Sequence, residues 1–250
     1  MQQTAMKHRS GLVLAISLAL AIVLVVMGCV SPAQEHLSRG NEHLEQGRYD
    51  EAIAEYTEAV EADPDCVEAY NNRGLANHNK SEFDRAVADF DKVIELEPEY
   101  AKAYYHRGNA HSEKGQLDRA LGDYDRAIEL DPQLAVAYTN RGHAYMLKWD
   151  LDKAIADCDK AIELDRQLAT AYNNRGHAYH NKGEFDKAIA DYSTAIELDP
   201  QFAKAYFNRA YAYHKKGGNI SKAASDLERC IQISTDAGLT KAAQQLLERL

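Results

Sequence analysis

Three side-chain types recur at a fixed interval in this sequence, and each suggests a chemistry. Asparagine stands at Asn72, Asn140, Asn174 and Asn208, positions separated by 34 residues or twice that. Ser38 begins this series and His106 interrupts it. A carboxamide both donates and accepts, so such a row can satisfy both kinds of backbone group, or can tie neighbouring elements together. Arginine follows the series directly at Arg39, Arg73, Arg107, Arg141, Arg175 and Arg209, and an acid recurs in step at Glu55, Asp89, Asp123, Asp157, Asp191 and Asp226. The forked guanidinium suits an ion pair with that acid, and the competing use is a row of cations for an acidic ligand. His177 and His180 lie three apart, with His143 one interval earlier. Metal ligands can take that spacing, but no cysteine or carboxylate cluster completes a set, so no metal site is assigned. The sequence has no GxSxG, no phosphate-binding glycine loop and no HExxH. It therefore offers no catalytic residue, calls for no cofactor and reads as a non-enzyme.

The elements that position these columns are repeats. Tyr70, Tyr104, Tyr138, Tyr172 and Tyr206 are each 34 residues apart, and six units result: residues 33–66, 67–100, 101–134, 135–168, 169–202 and 203–237. In the fifth unit Tyr172, Gly176 and Tyr179 mark one face of a first helix, and Lys182-Gly183 ends it. Phe185, Ala188, Ile189, Tyr192, Ala195, Ile196 and Leu198 form the apolar stripe of a second, stopped by Asp199-Pro200. Gly40, Gly74, Gly108, Gly142 and Gly176 on the first helices and alanines such as Ala188 on the second are expected to face each other and allow close approach. One pair cannot bury its stripe but stacked pairs can, so the class is all-α, a solenoid of helix-turn-helix units with a continuous core. The fourth unit has Arg166 in place of proline, which predicts a less fixed exit turn. The sixth has Ala210 for glycine and an extra residue at Gly217-Gly218-Asn219, and residues 238–250 read as a capping helix with Ala242, Ala243, Leu246 and Leu247 inward.

Tyr172, Arg175, Gly176, Tyr179, Ala188, Tyr192, Ala195 and Pro200 together resemble the tetratricopeptide repeat family, over about residues 33–237. The resemblance implies a right-handed superhelix that serves as an interaction scaffold, with the first helices lining a concave groove. It also makes the asparagine series similar to the ladder by which some members hold an extended peptide. Rung spacing fits: packed helices lie about 8–10 Å apart and an extended peptide rises about 3.3 Å per residue, so one rung serves about every third residue. Along such a groove Asn71, Tyr105, His143, Asn173, His177, His180, Phe207, Tyr211 and His214 would select side chains. The carboxylate clamp of chaperone-binding members is not matched.

The first 29 residues are a separate segment. Lys7, His8 and Arg9 precede Gly11–Gly28, an uncharged and mostly apolar run of 18 residues. As a helix it would span about 27 Å, near the thickness of a bilayer core. Its end, Val26-Met27-Gly28-Cys29, resembles the lipobox of bacterial lipoproteins, which implies lipidation at Cys29; an uncleaved single transmembrane anchor and an ordinary secretory signal remain open. In each case the repeats, after a linker at 30–32, are expected outside the cytoplasm, on the extracytoplasmic face of a prokaryotic membrane. Cys158 and Cys230 sit at apolar positions, and no CxxC or paired spacing occurs, so no disulfide framework is indicated. The formal net charge of −10 disfavours nucleic acid as a partner. The expected function is a membrane-tethered scaffold that binds a protein or an extended peptide, in envelope complex assembly. The alternatives are a self-associating structural spacer and a subunit recruiting an envelope enzyme.

Overall fold

The computed structural model describes residues 31–250; the signal-like segment and Cys29 lie outside the described residues. The described residues form thirteen α-helices and no strand. They are α1 (Pro32–Glu45), α2 (Tyr49–Ala62), α3 (Val67–Asn79), α4 (Phe83–Leu96), α5 (Ala101–Glu113), α6 (Leu117–Leu130), α7 (Ala135–Leu147), α8 (Leu151–Leu164), α9 (Ala169–Asn181), α10 (Phe185–Leu198), α11 (Ala203–Lys216), α12 (Ile220–Ile233) and α13 (Ala237–Leu247). Odd and even helices are the first and second helices of the predicted units, and α13 is the predicted extra helix. No helix among them is long and apolar enough to cross a membrane. The chain divides into two compact units at Ala76/Asn77, inside α3.

In the first unit α1 opens at Pro32, a residue assigned to the linker by sequence. Proline is suited to a first helical position, and Ser31 Oγ caps the helix by accepting from Gln34 N at 3.2 Å. Leu37, Ala52, Tyr56, Ala59, Val60, Ala69 and Ala76 form its core. Tyr56 donates to Asn41 Oδ1 at 2.8 Å, and burial pushes its phenol up to about 12. Glu55 receives both Arg39, at 3.2 Å, and His36, at 2.8 Å. Arg73 reaches Thr57 Oγ1 at 3.2 Å.

In the second unit α5–α6, α7–α8, α9–α10 and α11–α12 are antiparallel pairs, each packed on the next, and α13 closes the end. Close approach at the recurrent glycine has a different cause from the one the sequence suggests. A Cβ on Gly108 would lie 2.8 Å from Tyr124 Cε1, and one on Gly176 would lie 2.9 Å from Tyr192 Cε1. The glycine makes room for a buried tyrosine ring; of the facing alanines, Ala154 and Ala188 approach with their backbone oxygens. At the fourth pair Cys158 Sγ takes the ring's place, and burial pushes that thiol up to about 12. At the last pair Ala210 replaces the glycine and Leu227 the tyrosine, both fully buried, and the cap's Ala243, Leu239, Leu246 and Leu247 pack on that cluster.

Arginine sets the spacing between pairs. Arg141 Nε and Nη2 donate to Asp157 of its own pair, at 2.8 and 2.6 Å, while Nη1 donates to Asp125 of the preceding pair at 2.7 Å. Arg107 repeats this with Asp123 and Asp91, and Arg175 with Asp191 and Asp159. Arg209 binds Asp226 and, in the preceding pair, Ser193 Oγ. Each guanidinium also lies over the recurrent tyrosine: Arg107 over Tyr104, Arg141 over Tyr138 and Arg175 over Tyr172, all 5.5 Å from the ring centre. The inner acids are buried, so removing an arginine would leave an unpaired carboxylate at a cost of about 3–5 kcal/mol. A second tie runs along the turns, where Lys114, Lys148, Lys182 and Lys216 pair with Asp84, Asp118, Asp152 and Asp186 of the preceding pair.

The turns follow the sequence with two departures. Gly115, Gly183 and Gly217 leave their helices with φ between 71 and 77°, and Ser81 and Trp149 take the same left-handed place at φ 61°. A bulky residue costs about 1 kcal/mol or more there. The fourth exit turn matches the others despite Arg166. Asp165 Oδ1 accepts from Gln167 N at 2.8 Å, as Asp131 and Asp199 do for Gln133 and Gln201, so the aspartate rather than the proline shapes the turn.

His106, which breaks the asparagine series, stacks on Phe90 with ring centres 5.6 Å apart. Burial pushes its imidazole down to about 4, so the folded state keeps it neutral, while the unfolded chain protonates near its ordinary value of about 6.5. The unfolded state binds more protons between these values. This contribution to stability is therefore fully present above pH about 6.5 and is lost as pH falls toward about 4. Thermal unfolding of His106→Phe and the parent chain at pH 7.5 and pH 5 checks this. The variant is expected to lose about 1–2 kcal/mol less on acidification, and equal losses would place the acid sensitivity elsewhere.

Candidate peptide-binding face

The first helices carry the predicted site residues, and the structure sorts them into distinct roles. All four asparagines of the series donate backwards to the preceding first helix or its side chains. In the first unit Asn72 Nδ2 donates to Asn41 Oδ1 at 2.9 Å. In the second, Asn140 Nδ2 donates to Asn109 Oδ1 at 2.8 Å and Tyr105 Oη at 3.3 Å, Asn174 Nδ2 to the Thr139 carbonyl at 3.5 Å, and Asn208 Nδ2 to Asn173 Oδ1 at 3.0 Å. The tie between neighbouring units is thus present. It uses the donor half of each amide. Asn72 and Asn174 also accept from their neighbours Asn71 and Asn173.

Two residues expected to select side chains do not fit that role. Asn71 is 9% exposed and Asn173 is 4% exposed. Their position on the helix turns toward the packed neighbour, where Asn173 serves as acceptor for Asn208. The others reach the surface to different degrees. Tyr105 is half-buried against His106 and Tyr124. His143 and His177 are half-buried. Burial, first, lowers both imidazoles, His177 to about 4. His180 lies between Phe185 and Tyr211, each 5.2 Å away, and Tyr211 runs parallel to Phe207 at 6.4 Å. His214 is exposed. The face therefore changes character from polar at α5 and α7 to aromatic at α9 and α11.

At the polar end lies a depression of about 280 Å³ lined by His78, Asn109, Ser112, Glu113, Tyr124, Asn140 and His143. Of the residues singled out by sequence it contains Asn140 and His143. Its other members carry a signal in their spacing. Asn109 stands one interval before His143, and His78 and Ser112 belong to the column of His180 and His214. Tyr124 reaches through from the second helix α6 and donates to Asn109 Oδ1 at 2.9 Å. Wider hollows, of about 580 and 420 Å³, lie at Glu97–Tyr100 and around Ser81–Arg85 with Lys114, at turns rather than on this face. The arginine row is consumed by its ion pairs and offers no ladder of free cations in the second unit. Among the described residues, no three His, Cys, Asp or Glu side chains converge as a metal site.

Family models described as a TPR repeat match residues 108–148 and 176–217. Others described as a tetratricopeptide repeat match residues 37–101, 135–168, 90–122, 158–190 and 203–236. No curated protein matches the sequence. Among solved structures the chain is similar to MamA, at 30% identity over 66% of this chain and 96% of that one, with a TM-score of 0.58. It is also similar to YrrB, described as a TPR protein with an unusual peptide-binding site, at 26% identity over 76% of this chain and 97% of that one, with a TM-score of 0.55. The Pseudomonas aeruginosa protein PilF aligns over 86% of this chain and 97% of its own with a TM-score of 0.71, but at 16% identity that likeness shows the fold alone. The repeat matches run without a gap from residue 37 to residue 236, and the chain belongs to the tetratricopeptide repeat family.

Proposed function

We propose that this protein is a non-catalytic scaffold whose first-helix face holds an extended peptide or protein segment. The observation that carries the reading is the depression between α3, α5 and α7, where polar groups converge and Asn140 Oδ1 accepts no hydrogen bond among the described residues. An amide held by its donor half is pre-oriented, so its acceptor meets a backbone N–H at little entropic cost. Asn208 Oδ1 offers the same on α11, beside the aromatic strip. The likeness to YrrB supports a peptide as the class of partner. In this reading the repeats stand outside the cytoplasm, tethered through residues 1–29, and serve in assembling an envelope complex. Net acidity argues for a protein rather than a nucleic-acid partner.

Peptides selected against the full chain from a random display library test the binding face. Replacing Asn140 and Asn174 together by alanine should weaken those peptides on the folded fraction, with a stability loss of no more than about 1–3 kcal/mol from the lost ties. Unchanged affinity in the folded fraction would make the asparagines structural only. Tethering is checked separately by metabolic labelling with palmitate. A label that disappears in Cys29→Ser is expected, and an unlabelled, unprocessed chain would contradict the lipoprotein reading.

A further inference from the structure

The depression at the polar end has a single formal charge in its wall. Glu113, at the end of α5, makes no ion pair among the described residues and is exposed into it. The recurrent acids Asp123, Asp157, Asp191 and Asp226 are by contrast all tied to arginines. The remaining wall is neutral and rich in acceptors. Asn140 Oδ1 accepts nothing among the described residues, and Tyr124 spends its hydroxyl hydrogen on Asn109 and accepts from Ser112, which leaves one lone pair. Burial first, opposed by Glu113, lowers the imidazole of His78, and burial first, then Lys204, opposed by Glu113, lowers that of His143, so both stand neutral at pH 7 and add no charge to the wall. Farther along the face stands a cation. Lys204 of α11 is exposed there, and after burial it contributes to lowering His143 and, last among the causes, His177. The volume of about 280 Å³ is at the small end for ligand cavities and suits one long side chain rather than a cofactor.

We propose that this depression is a specificity pocket for a lysine or arginine side chain of the bound segment, whose charged head pairs with Glu113 and donates to Asn140 Oδ1 and Tyr124 Oη. The proposal rests on the peptide-binding reading and deepens it. One basic residue at a fixed place sets the register of the segment on the rungs.

The test uses the full chain in detergent micelles and dodecapeptides selected from a random display library, with binding read by fluorescence anisotropy. The selected peptides are expected to share one lysine or arginine. Replacing that residue by glutamine, or Glu113→Gln in the protein, should each weaken binding about tenfold, and the two together no further. The loss should shrink at high salt, as for any partly screened pair. Because Glu113 is exposed and unpaired, Glu113→Gln should keep the melting temperature of the parent. Peptides that share no basic residue, or that lose affinity in Asn140→Ala but not in Glu113→Gln, would overturn the basic pocket and leave the groove standing. If no peptide is selected, or none responds to Asn140→Ala, the groove reading falls and the pocket with it.

Discussion

The arginine at the middle of each first helix is the contact on which the second unit depends. A helix pair with a buried tyrosine or cysteine at its centre is too small to stand alone. It becomes stable by stacking, and stacking needs a register. Arg141 supplies one, because a rigid fork holds both Asp157 of its own pair and Asp125 of the preceding pair, over the face of Tyr138. Three of the recurrent features, the 34-spaced tyrosine, the arginine and the acid, are thus one device. Asp157 has little access to water, so it stabilises only while the guanidinium is in place. Hydrogen bonding to Asp157, against opposing desolvation, raises Arg141 well above its ordinary value and keeps it charged at any accessible pH.

That device also frees the first-helix face for another use. The arginines and the turn lysines carry the electrostatic ties between successive pairs, so the polar side chains on the other side of each first helix need not. The asparagines still contribute a backward hydrogen bond, which is why the structural and the ligand-binding readings of the series need not exclude each other. Where the series is broken, at His106, the side chain joins the core by stacking on Phe90 and no rung is offered. The face is uneven as a result, polar near Asn109 and Asn140, aromatic near His180, Tyr211 and Phe207. Such unevenness is what a scaffold needs to fix one segment in one register.

Much of this was legible in the sequence, for identifiable reasons. A period of 34 with paired apolar stripes leaves one arrangement of helices, and an acid in step with every arginine names its partner. What was not legible depends on the rotation of one pair against the next. Asp125 lies two residues after Asp123, and only the stacking of α7 on α6 shows that Arg141 reaches it. Asn71 and Asn173 stand beside the asparagine series in sequence but turn inward in space, since adjacent helical residues point about 100° apart. The repeat spacing sets the glycine columns against alanine, whereas the Tyr124 and Tyr192 rings fill that space, because a ring four residues further along the second helix reaches back over one turn. Glu113 was invisible as a site, because it is an exposed acid in an acidic chain until its lack of a partner is seen.

Native-state hydrogen exchange of Arg141→Met, compared with the parent chain, tests most directly whether the arginine joins two pairs or serves only its own. If one guanidinium holds both Asp157 and Asp125, amide protection should fall in α8 and also in α6, with the far helices α12 and α13 little changed. Loss of protection confined to α7 and α8 would contradict the coupling and leave stacking to apolar contact alone.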